Sequence, residues 1–465
     1  MTTICYSTRL IHTVPFLSAI TLILAMPPGT LAQATASVPM GPTVHLTLPA
    51  AVDMAIAHNR KLKLARLAIS DSEEQKRVAE SHYYPVIKNE SAVLHITELE
   101  GIVVPVGSLS HGTSAGLIPS QTLRIDQGAD TTYTSGTGLD QPLTQMFKIH
   151  AGVKAADADL KSAKIQASDT GNAIALEVHQ LYYNYLVEQF AGSSAEDALK
   201  ASTVTEDENK KGVHEGRLLT DVELGSRVDL LDRQRAVLVS KLNLDDLTLQ
   251  LDDVLGLPLG TKLELDPDAL GELPILPSRA EAIAEVLQKS PTVLAAQENV
   301  EKAKAGLSAA HDAYIPNITG IARYSYQSGL PFLLHNFGTF GAAFTYDLFD
   351  GGAREDNLQD ARIKLSMAQT QLAQTENDVR IQISATYDKV EQLQELQKVS
   401  QLMLNTREES YRIQSQRAEV SAELASGVAA AHAAVTAAKL NVLSSQLNLY
   451  LAQNSIKRLL GEAPQ

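Results

Sequence analysis

The sequence predicts a mainly α-helical fold with a β portion, built as a tandem repeat of a helix, a β-hairpin and a long helical hairpin. Three observations predict it. The two halves of the chain share a sequence pattern, each half contains one short region of strand-like alternation, and long proline-free runs carry apolar residues at helical spacing.

The duplication appears at two offsets along the 465 residues. Residues 83–85 (YYP) align with residues 314–316 (YIP), whereas VLVSKLNL at 237–244 aligns with VLSSQLNL at 442–449. Because the second offset is smaller, the first half carries extra residues between these points. The predicted organisation is a first repeat over 35–256, a linker over 257–279, a second repeat over 280–461 and a tail over 462–465.

The N-terminus predicts a signal peptide over residues 1–34. An apolar run at 14–26 is too short to span a bilayer, and Ala32 and Ala34 form an A-x-A cleavage site. A buried N-terminal helix is the alternative. Cleavage would remove Cys5, the only cysteine, and with it any disulfide or thiol chemistry.

Composition narrows the function classes. The formal net charge of −15 argues against nucleic-acid binding through phosphate neutralisation. After the N-terminal run no segment has 18 consecutive apolar residues, so no transmembrane helix is predicted.

The β-hairpin of the second half is predicted at about 316–348. Alternation along its two strands places aromatic side chains on one face, as in the aromatic band of a protein at a membrane interface. A hairpin packed on a soluble core is the alternative. The residues predicted to face lipid are Tyr324, Phe340, Phe344 and Tyr346.

The hairpin of the first half is predicted at about 86–143, with a weaker alternation. Its outward side would carry Val93, Ser135, Thr137 and Leu139. The stretch from Glu98 to Gly128 shows no regular pattern, so we expect a long, irregular surface loop there.

Two proline-free runs predict the helical hairpins, at about 144–256 and 352–461. Their apolar residues recur at three and four, the spacing of a coiled-coil seam. Each run breaks once, near residues 213–225 and 418–427. The longer arm of about 65 residues would reach about 100 Å.

These pieces together resemble the TolC family of outer-membrane efflux proteins, the outer membrane factors. The resemblance is carried by the duplicated order of elements, by QPLTQMFKI at 141–149, by YDLFDGGA at 346–353, and by Leu-Gly at 255–256 and 460–461. It implies a homotrimer in the cell outer membrane, whose 12-strand β-barrel continues into a periplasmic α-helical tunnel.

The same resemblance implies a function and its partners. The chain would be the outer-membrane channel of a tripartite efflux or type I secretion system, conducting substrates passively to the exterior. Its partners would be two further copies of itself, a periplasmic adaptor (membrane fusion protein), an inner-membrane transporter and outer-membrane lipid.

The resemblance bears on two groups of site residues, the tip, which matches the family pattern, and the gate, which does not, because no Asp follows Asp388. GRLLTDV at 216–222 resembles the turn that meets the adaptor, with Gly216 permitting the turn and Thr220 or Asp221 capping the returning helix. In the second half the pattern is lost at Ser421, Ala425, Ser426 and Gly427. The predicted adaptor contacts are Gly216, Leu219, Thr220, Asp221 and Val222.

The candidate gate residues are Arg407, Glu408, Glu409 and Arg412, for which a solvated helix face is the alternative.

No motif in the sequence predicts an enzyme, a cofactor or a metal. His214-Glu215 begins an HExxH zinc motif, but position 218 is Leu. The competing interpretations are a periplasmic coiled-coil adaptor or scaffold without a channel and, with less behind it, a secreted enzyme.

Overall fold

A computed structural model describes residues 44–98, 100–113, 116–125, 128–266, 274–329, 334–419 and 425–463. The predicted signal peptide and Ser421 lie outside the described residues. The predicted mainly helical fold with a strand portion is confirmed. The helices are α1 Leu48–His58, α2 Arg60–Ser81, α3 Met146–His214, α4 Thr220–Leu255, α5 Arg279–Lys289, α6 Pro291–Asp312, α7 Ala353–Ala418 and α8 Ala425–Leu459. The strands are β1 Val44–Leu46, β2 Val86–His95, β3 Ile102–Val104, β4 Ser110–Thr113, β5 Gly116–Ile118, β6 Leu123–Ile125, β7 Thr131–Pro142, β8 Leu263–Leu265, β9 Asn317–Ser328 and β10 Asn336–Thr345.

Each repeat begins with two helices rather than the single helix predicted. The break falls at Asn59 in the first repeat and at Ser290 in the second, and both residues have extended ψ angles. Asn59 caps α2 by accepting a hydrogen bond from the Lys61 amide at 2.8 Å. Ser290 precedes Pro291, which disfavours helical geometry at the residue before it.

The two predicted hairpins join into one antiparallel four-stranded sheet of order β10-β9-β7-β2. β7 pairs with β9 from Tyr133 opposite Ser328 to Pro142 opposite Thr319. Among the described residues, the outer edges of β2 and β10 have no strand partner. The sheet of one chain is therefore open along both sides.

The prediction of an irregular loop between Glu98 and Gly128 was wrong. In that stretch β3 pairs with β6 and β4 pairs with β5, which extends the β2–β7 hairpin as a nested ribbon. Each of these strands has only three or four residues, which is too short for a strand to be recognised by its alternation. β1, near the start of the predicted first repeat, pairs in parallel with β8, inside the predicted linker, over only three residues.

The helices form one layer. Close to the sheet the order across the layer is α2, α3, α6, α7, and farther away it is α4, α3, α8, α7. One side of the layer therefore ends at α2 and α4, and the other side ends at α7. Since α2 leads into β2 and β10 leads into α7, the helical layer and the sheet share the same two open sides.

Two apolar clusters hold the middle of the layer together. One surrounds Tyr182, Tyr183 and Tyr450, and the other surrounds Val286 and Ile383. The Tyr182 hydroxyl donates to the Leu46 carbonyl at 3.0 Å, which ties β1 to α3. In the described part of the chain no helix has the length and apolar character needed to cross a membrane.

Candidate functional site

The turn between α3 and α4, residues 215–219, is called the first tip here. Gly216 has a φ of +73°, the left-handed region that favours glycine. The amides of Arg217 and Leu218 both donate to the Gly212 carbonyl, at 2.7 and 3.1 Å. The turn therefore closes the end of α3 with its own backbone.

The sequence analysis did not single out Gly212, which the first tip also requires. A Cβ atom built on Gly212 would lie 2.6 Å from Cδ1 of Leu218. The missing side chain gives Leu218 room to fold back over the last turn of α3. A glycine four residues before a left-handed glycine is the signal that could have found it.

The predicted capping of α4 by Thr220 or Asp221 was wrong. The residue before the helix is Leu219, with φ −85° and ψ 153°, and its side chain makes no cap. Thr220 is already helical, and the Asp221 carboxylate accepts from the Val222 amide at 3.0 Å inside the first turn. Asp221 still complements the positive end of the helix dipole.

Leu219 is the most prominent apolar residue of the first tip. Its side chain is 74% exposed, and Val222 is partly exposed one turn away. The predicted adaptor contacts thus lie together at one end of the layer, with an apolar residue projecting from the turn.

The second helical hairpin starts its return at Ala425. Ser426 and Gly427 lie in the first turn of α8, so neither forms part of a turn like the first tip. The Ser426 amide donates to Oε1 of Glu208 on α3 at 3.1 Å. A carboxylate from the first repeat therefore satisfies an amide at the N-terminus of α8, a contact that no sequence pattern indicates.

The candidate gate residues on α7 do not form one cluster. Arg412 donates two hydrogen bonds to Glu409, at 2.7 and 2.6 Å, and this hydrogen bonding lowers the pKa of the Glu409 carboxyl. Glu408 lies 3.9 Å from Lys439 of α8. Within the described residues, Arg407 has no ion-pair partner. At 100° per residue, Arg407 and Glu409 lie about 160° apart around the helix.

The strand register places three of the four predicted lipid-facing residues on one face of the sheet. Phe340 is opposite Ala322, Phe344 is opposite Ile318, and Tyr324 is opposite Gly338. Directly opposed residues share a face, so these side chains form one exposed apolar and aromatic surface. Phe340 is 91% exposed.

Tyr346, the fourth predicted residue, lies just beyond the strand. β10 ends at Thr345, and the guanidinium of Arg354 lies 4.8 Å from the centre of the Tyr346 ring. Arg354 is held in turn by Asp350, with Nε 2.7 Å from Oδ2. Tyr346 therefore belongs to the passage between β10 and α7.

Polar residues of the first hairpin share the aromatic face but are bonded to one another. Asn89 donates to Thr137 at 2.9 Å, and the Ser91 and Ser135 hydroxyls are 2.9 Å apart. Polar groups that are satisfied in this way cost less in an apolar environment than unpaired ones. This pairing accounts for the weaker alternation of the first hairpin.

Two helices at the open sides of the layer, α4 and α7, each carry an apolar stripe that no described residue covers. On both helices the stripe is opposite to the buried face, so each helix is apolar on two sides. On α4 the stripe is formed by Leu224, Val228, Leu231, Leu238, Leu242 and Leu249. On α7 it is formed by Ile363, Met367, Ile381, Leu396, Val399, Leu402, Met403 and Ile413.

The duplication relates these stripes to a contact inside the chain. At the offset of 205 residues, α7 corresponds to α3 and α4 corresponds to α8. The residues that correspond to the two stripes are all buried or half-buried, because α3 packs on α6 and α8. For example, Asp197 and Thr436, whose side chains bond at 3.0 Å, correspond to Leu402 and Leu231.

Comparison with known proteins gives a consistent result. Residues 282–462 match the family described as "Outer membrane efflux protein". The chain is 22% identical over 424 residues to the "Probable efflux pump outer membrane protein TtgC" of Pseudomonas putida, covering 86% of this chain and 81% of that protein.

Solved structures share the fold. The outer membrane protein VceC of Vibrio cholerae superposes with a TM-score of 0.68 at 16% identity, over 90% of this chain and 97% of that one. The open state of the MtrE outer membrane channel of Neisseria gonorrhoeae gives a TM-score of 0.70 at 16% identity, over 90% of each chain.

The chain shares its fold with the outer-membrane efflux proteins to which it is similar. The comparisons confirm the resemblance to the TolC family. The predicted location in the outer membrane agrees with the family match and with the names of these relatives. Among the described residues, no group of three or more His, Cys, Asp and Glu side chains is placed to hold a metal ion.

Proposed function

We propose that this chain is the outer-membrane channel component of a tripartite efflux or type I secretion system. Three copies would close a 12-strand β-barrel that continues into a periplasmic α-helical tunnel. Substrates would pass through it from an inner-membrane transporter and a periplasmic adaptor to the exterior. One observation carries this proposal. The sheet and the helical layer are open along the same two sides, and the helices α4 and α7 at these sides expose apolar stripes.

The open sheet supports ring closure. β2 and β10 each expose ten residues of unpaired backbone edge, which is a strong template for pairing with another chain. Since the four strands alternate in direction, β10 of one protomer runs antiparallel to β2 of the next. Repeating this pairing around an axis closes a barrel with an even number of strands and leaves no edge.

The helical stripes support the same ring. When β10 pairs with β2 of the next protomer, α7 comes beside α4 of that protomer, because the sheet and the helical layer share their sides. Burying one Leu or Val side chain of such a stripe contributes about 1.5–3 kcal/mol. The duplication makes this contact the counterpart of the α3–α8 contact inside the chain.

Conduction in this arrangement needs no catalytic group from the chain. The sheet has its aromatic surface on one face and its charged residues on the other, which suits a wall with lipid outside and water inside. Energy and substrate choice would come from the inner-membrane transporter. The exposed Leu219 of the first tip, with Thr220, Asp221 and Val222 beside it, would contact the adaptor.

Closure of the tunnel would use polar contacts near its periplasmic end. Arg412 and Glu409 form a bidentate pair within the last ten residues of α7, and Glu208 holds the N-terminus of α8. Contacts of this kind, exposed to water, are weak enough to be broken when an adaptor engages the tip.

Cysteine cross-linking tests the ring directly. In a Cys5→Ser background, Leu231→Cys with Leu402→Cys should give disulfide-linked dimers and trimers in outer-membrane fractions. The matched pair Asp197→Cys with Thr436→Cys should cross-link within one chain and give no higher species. Intermolecular bands from the second pair, or none from the first, would refute this ring.

Fractionation and bilayer recording complete the test. The purified protein should be a detergent-dependent trimer that forms steady conducting pores. A soluble periplasmic monomer without conductance would instead support the alternative, a coiled-coil adaptor or scaffold.

A further inference from the structure

The four charged residues of the sheet all lie on the face opposite to the aromatic surface. They are Lys88 and Glu90 on β2, Asp140 on β7 and Arg323 on β9. In the proposed barrel this face lines the pore. The following inference therefore rests on the proposed channel.

Arg323 reaches across a whole strand to contact one of these charges. Its direct cross-strand neighbour is Gly138 on β7, whereas Glu90 on β2 is opposite Gly136. The guanidinium Nη1 nevertheless lies 3.3 Å from Oε2 of Glu90. Because β2 and β9 are about 10 Å apart, the Arg323 side chain must lie flat over β7 to make this contact.

Gly136 makes that position possible. A Cβ atom on Gly136 would lie 2.6 Å from both Nε and Nη2 of Arg323, closer than real atoms approach. The guanidinium therefore occupies the space that any other side chain at position 136 would fill. Gly138 lies two residues away on the same face, and a Cβ atom there would meet nothing within 4 Å.

We propose that Gly136 is a positioning residue that keeps Arg323 flat against the pore wall, paired with Glu90. In this position the guanidinium narrows the pore little, and its charge is balanced by a carboxylate at the same level. In a trimer, three such pairs would form one ring near the middle of the barrel. The position of Arg323, flat against the wall or projecting into the pore, would then determine the width of the pore at that level and its preference between anions and cations.

The charges around the pair determine the direction of the effect. Lys88 is on the far side of Gly138 from Arg323, and Asp140 lies diagonal to Lys88. With the pair intact, the four charges balance. When Arg323 leaves the wall, three unpaired guanidinium groups project into the pore, and three carboxylates remain behind at its wall. The centre of the pore then becomes narrower and more positive.

The test compares single-channel recordings of the full-length trimer in planar bilayers under a KCl gradient. Gly136→Ala should lower the conductance and shift the reversal potential toward that of chloride. Gly138→Ala is the matched control, with the same substitution on the same strand and face, and should behave as wild type. Arg323→Gln alone should shift the reversal potential toward that of potassium.

A double variant separates this mechanism from a general disturbance of the barrel. Gly136→Ala with Arg323→Gln should regain the conductance lost in Gly136→Ala, because the obstructing group is gone. If Gly136→Ala prevents trimer formation, the same double variant should restore trimer yield, since it removes the clash. Restoration by either measure supports the proposal.

Three results would overturn it. Equal behaviour of Gly136→Ala and Gly138→Ala would show that the two glycines are equivalent. A Gly136→Ala defect that persists without Arg323 would show that the arginine is not the obstruction. Failure of the wild type to conduct at all would remove the channel itself, and with it the pore that the ring requires.

Discussion

The duplication makes two helix–helix contacts equivalent, but in a single chain one of them is buried and the other is exposed. The α3–α8 contact, called the covered seam here, is buried between the repeats. Its counterpart, called the open seam, consists of the exposed stripes of α7 and α4. Where the covered seam has Ala191, Ser194 and Asp197, the open seam has Leu396, Val399 and Leu402.

This difference in side chains follows from what each seam must do. The covered seam is held closed by the chain itself, so small residues that permit close approach and a few polar contacts are sufficient. In the proposed trimer the open seam must attract a separate molecule and offset the entropy lost on association, which large apolar side chains can do. The exposed stripes are therefore better explained as an unfilled interface than as ordinary surface.

The largest expected effect comes from placing a charge in the open seam. Leu402→Arg should abolish the trimer, because a charge would be buried between protomers without a partner. Blue-native electrophoresis of detergent extracts measures this. Gln401→Arg is the control, since Gln401 is exposed on the same helix but points about 100° away. Loss of the trimer in both variants would mean that α7 is simply intolerant of arginine.

A second change should separate assembly from export at the end of the open seam. Asp221→Arg places a positive charge at the positive end of the α4 dipole and beside the exposed Leu219. Export should be lost while the trimer persists, as measured by drug accumulation in cells and by trimer yield. Gly216→Ala should have a milder effect, about 1–2 kcal/mol of local strain, because of its φ of +73°. If Asp221→Arg exports normally, the first tip does not contact the adaptor.

The sequence predicted the elements well and the contacts between them poorly. Alternation and helical spacing are local, so the four long strands and four long helices could be read from the chain. Which helices are neighbours is not local, and for that reason the gate residues were grouped by closeness in sequence. Arg407 and Glu409 lie two residues apart but on opposite sides of α7. The Glu208–Ser426 contact joins positions 218 residues apart and has no sequence signature.

A third prediction concerns acid and a buried histidine of the covered seam. His179 of α3 stacks on Tyr450 of α8 with ring centres 5.9 Å apart, and its Nδ1 is buried without a hydrogen-bond partner among the described residues. Burial lowers the pKa of His179 from 6.5 to about 4. The unfolded chain therefore binds the proton more tightly, so stability is lost as the pH falls from 6.5 towards 4.

The expected loss is about 3 kcal/mol per protomer over that range. His179→Phe keeps a ring against Tyr450 and should remove the part of the acid dependence that this histidine causes, seen as a smaller drop in melting temperature between pH 7 and pH 4.5. His58→Phe, at an exposed histidine of α1, is the control. The counterparts of His179 and Tyr450 in the open seam are Ser384 and Asp245, so that seam has no buried histidine at this place. An unchanged acid dependence in His179→Phe would assign it to other groups.

The smallest effect should come from the α7 ion pair beside the open seam. Arg412→Gln removes both hydrogen bonds to Glu409. Arg407→Gln removes a charge on the other side of the helix, which has no ion-pair partner among the described residues. If the Glu409–Arg412 pair helps to hold the tunnel closed, only Arg412→Gln should raise the open probability in bilayers and the sensitivity of cells to large antibiotics. Trimer yield should not change in either variant.

Arg412 lowers the pKa of Glu409, so the pair is intact above the ordinary pKa of a glutamate and is lost as the pH falls through the lowered value. Acid should therefore open the wild type toward the behaviour of Arg412→Gln and should leave that variant unchanged. Equal open probabilities for wild type, Arg407→Gln and Arg412→Gln at neutral pH would place the closing contacts elsewhere, with the Glu208–Ser426 contact of the covered seam as the next candidate.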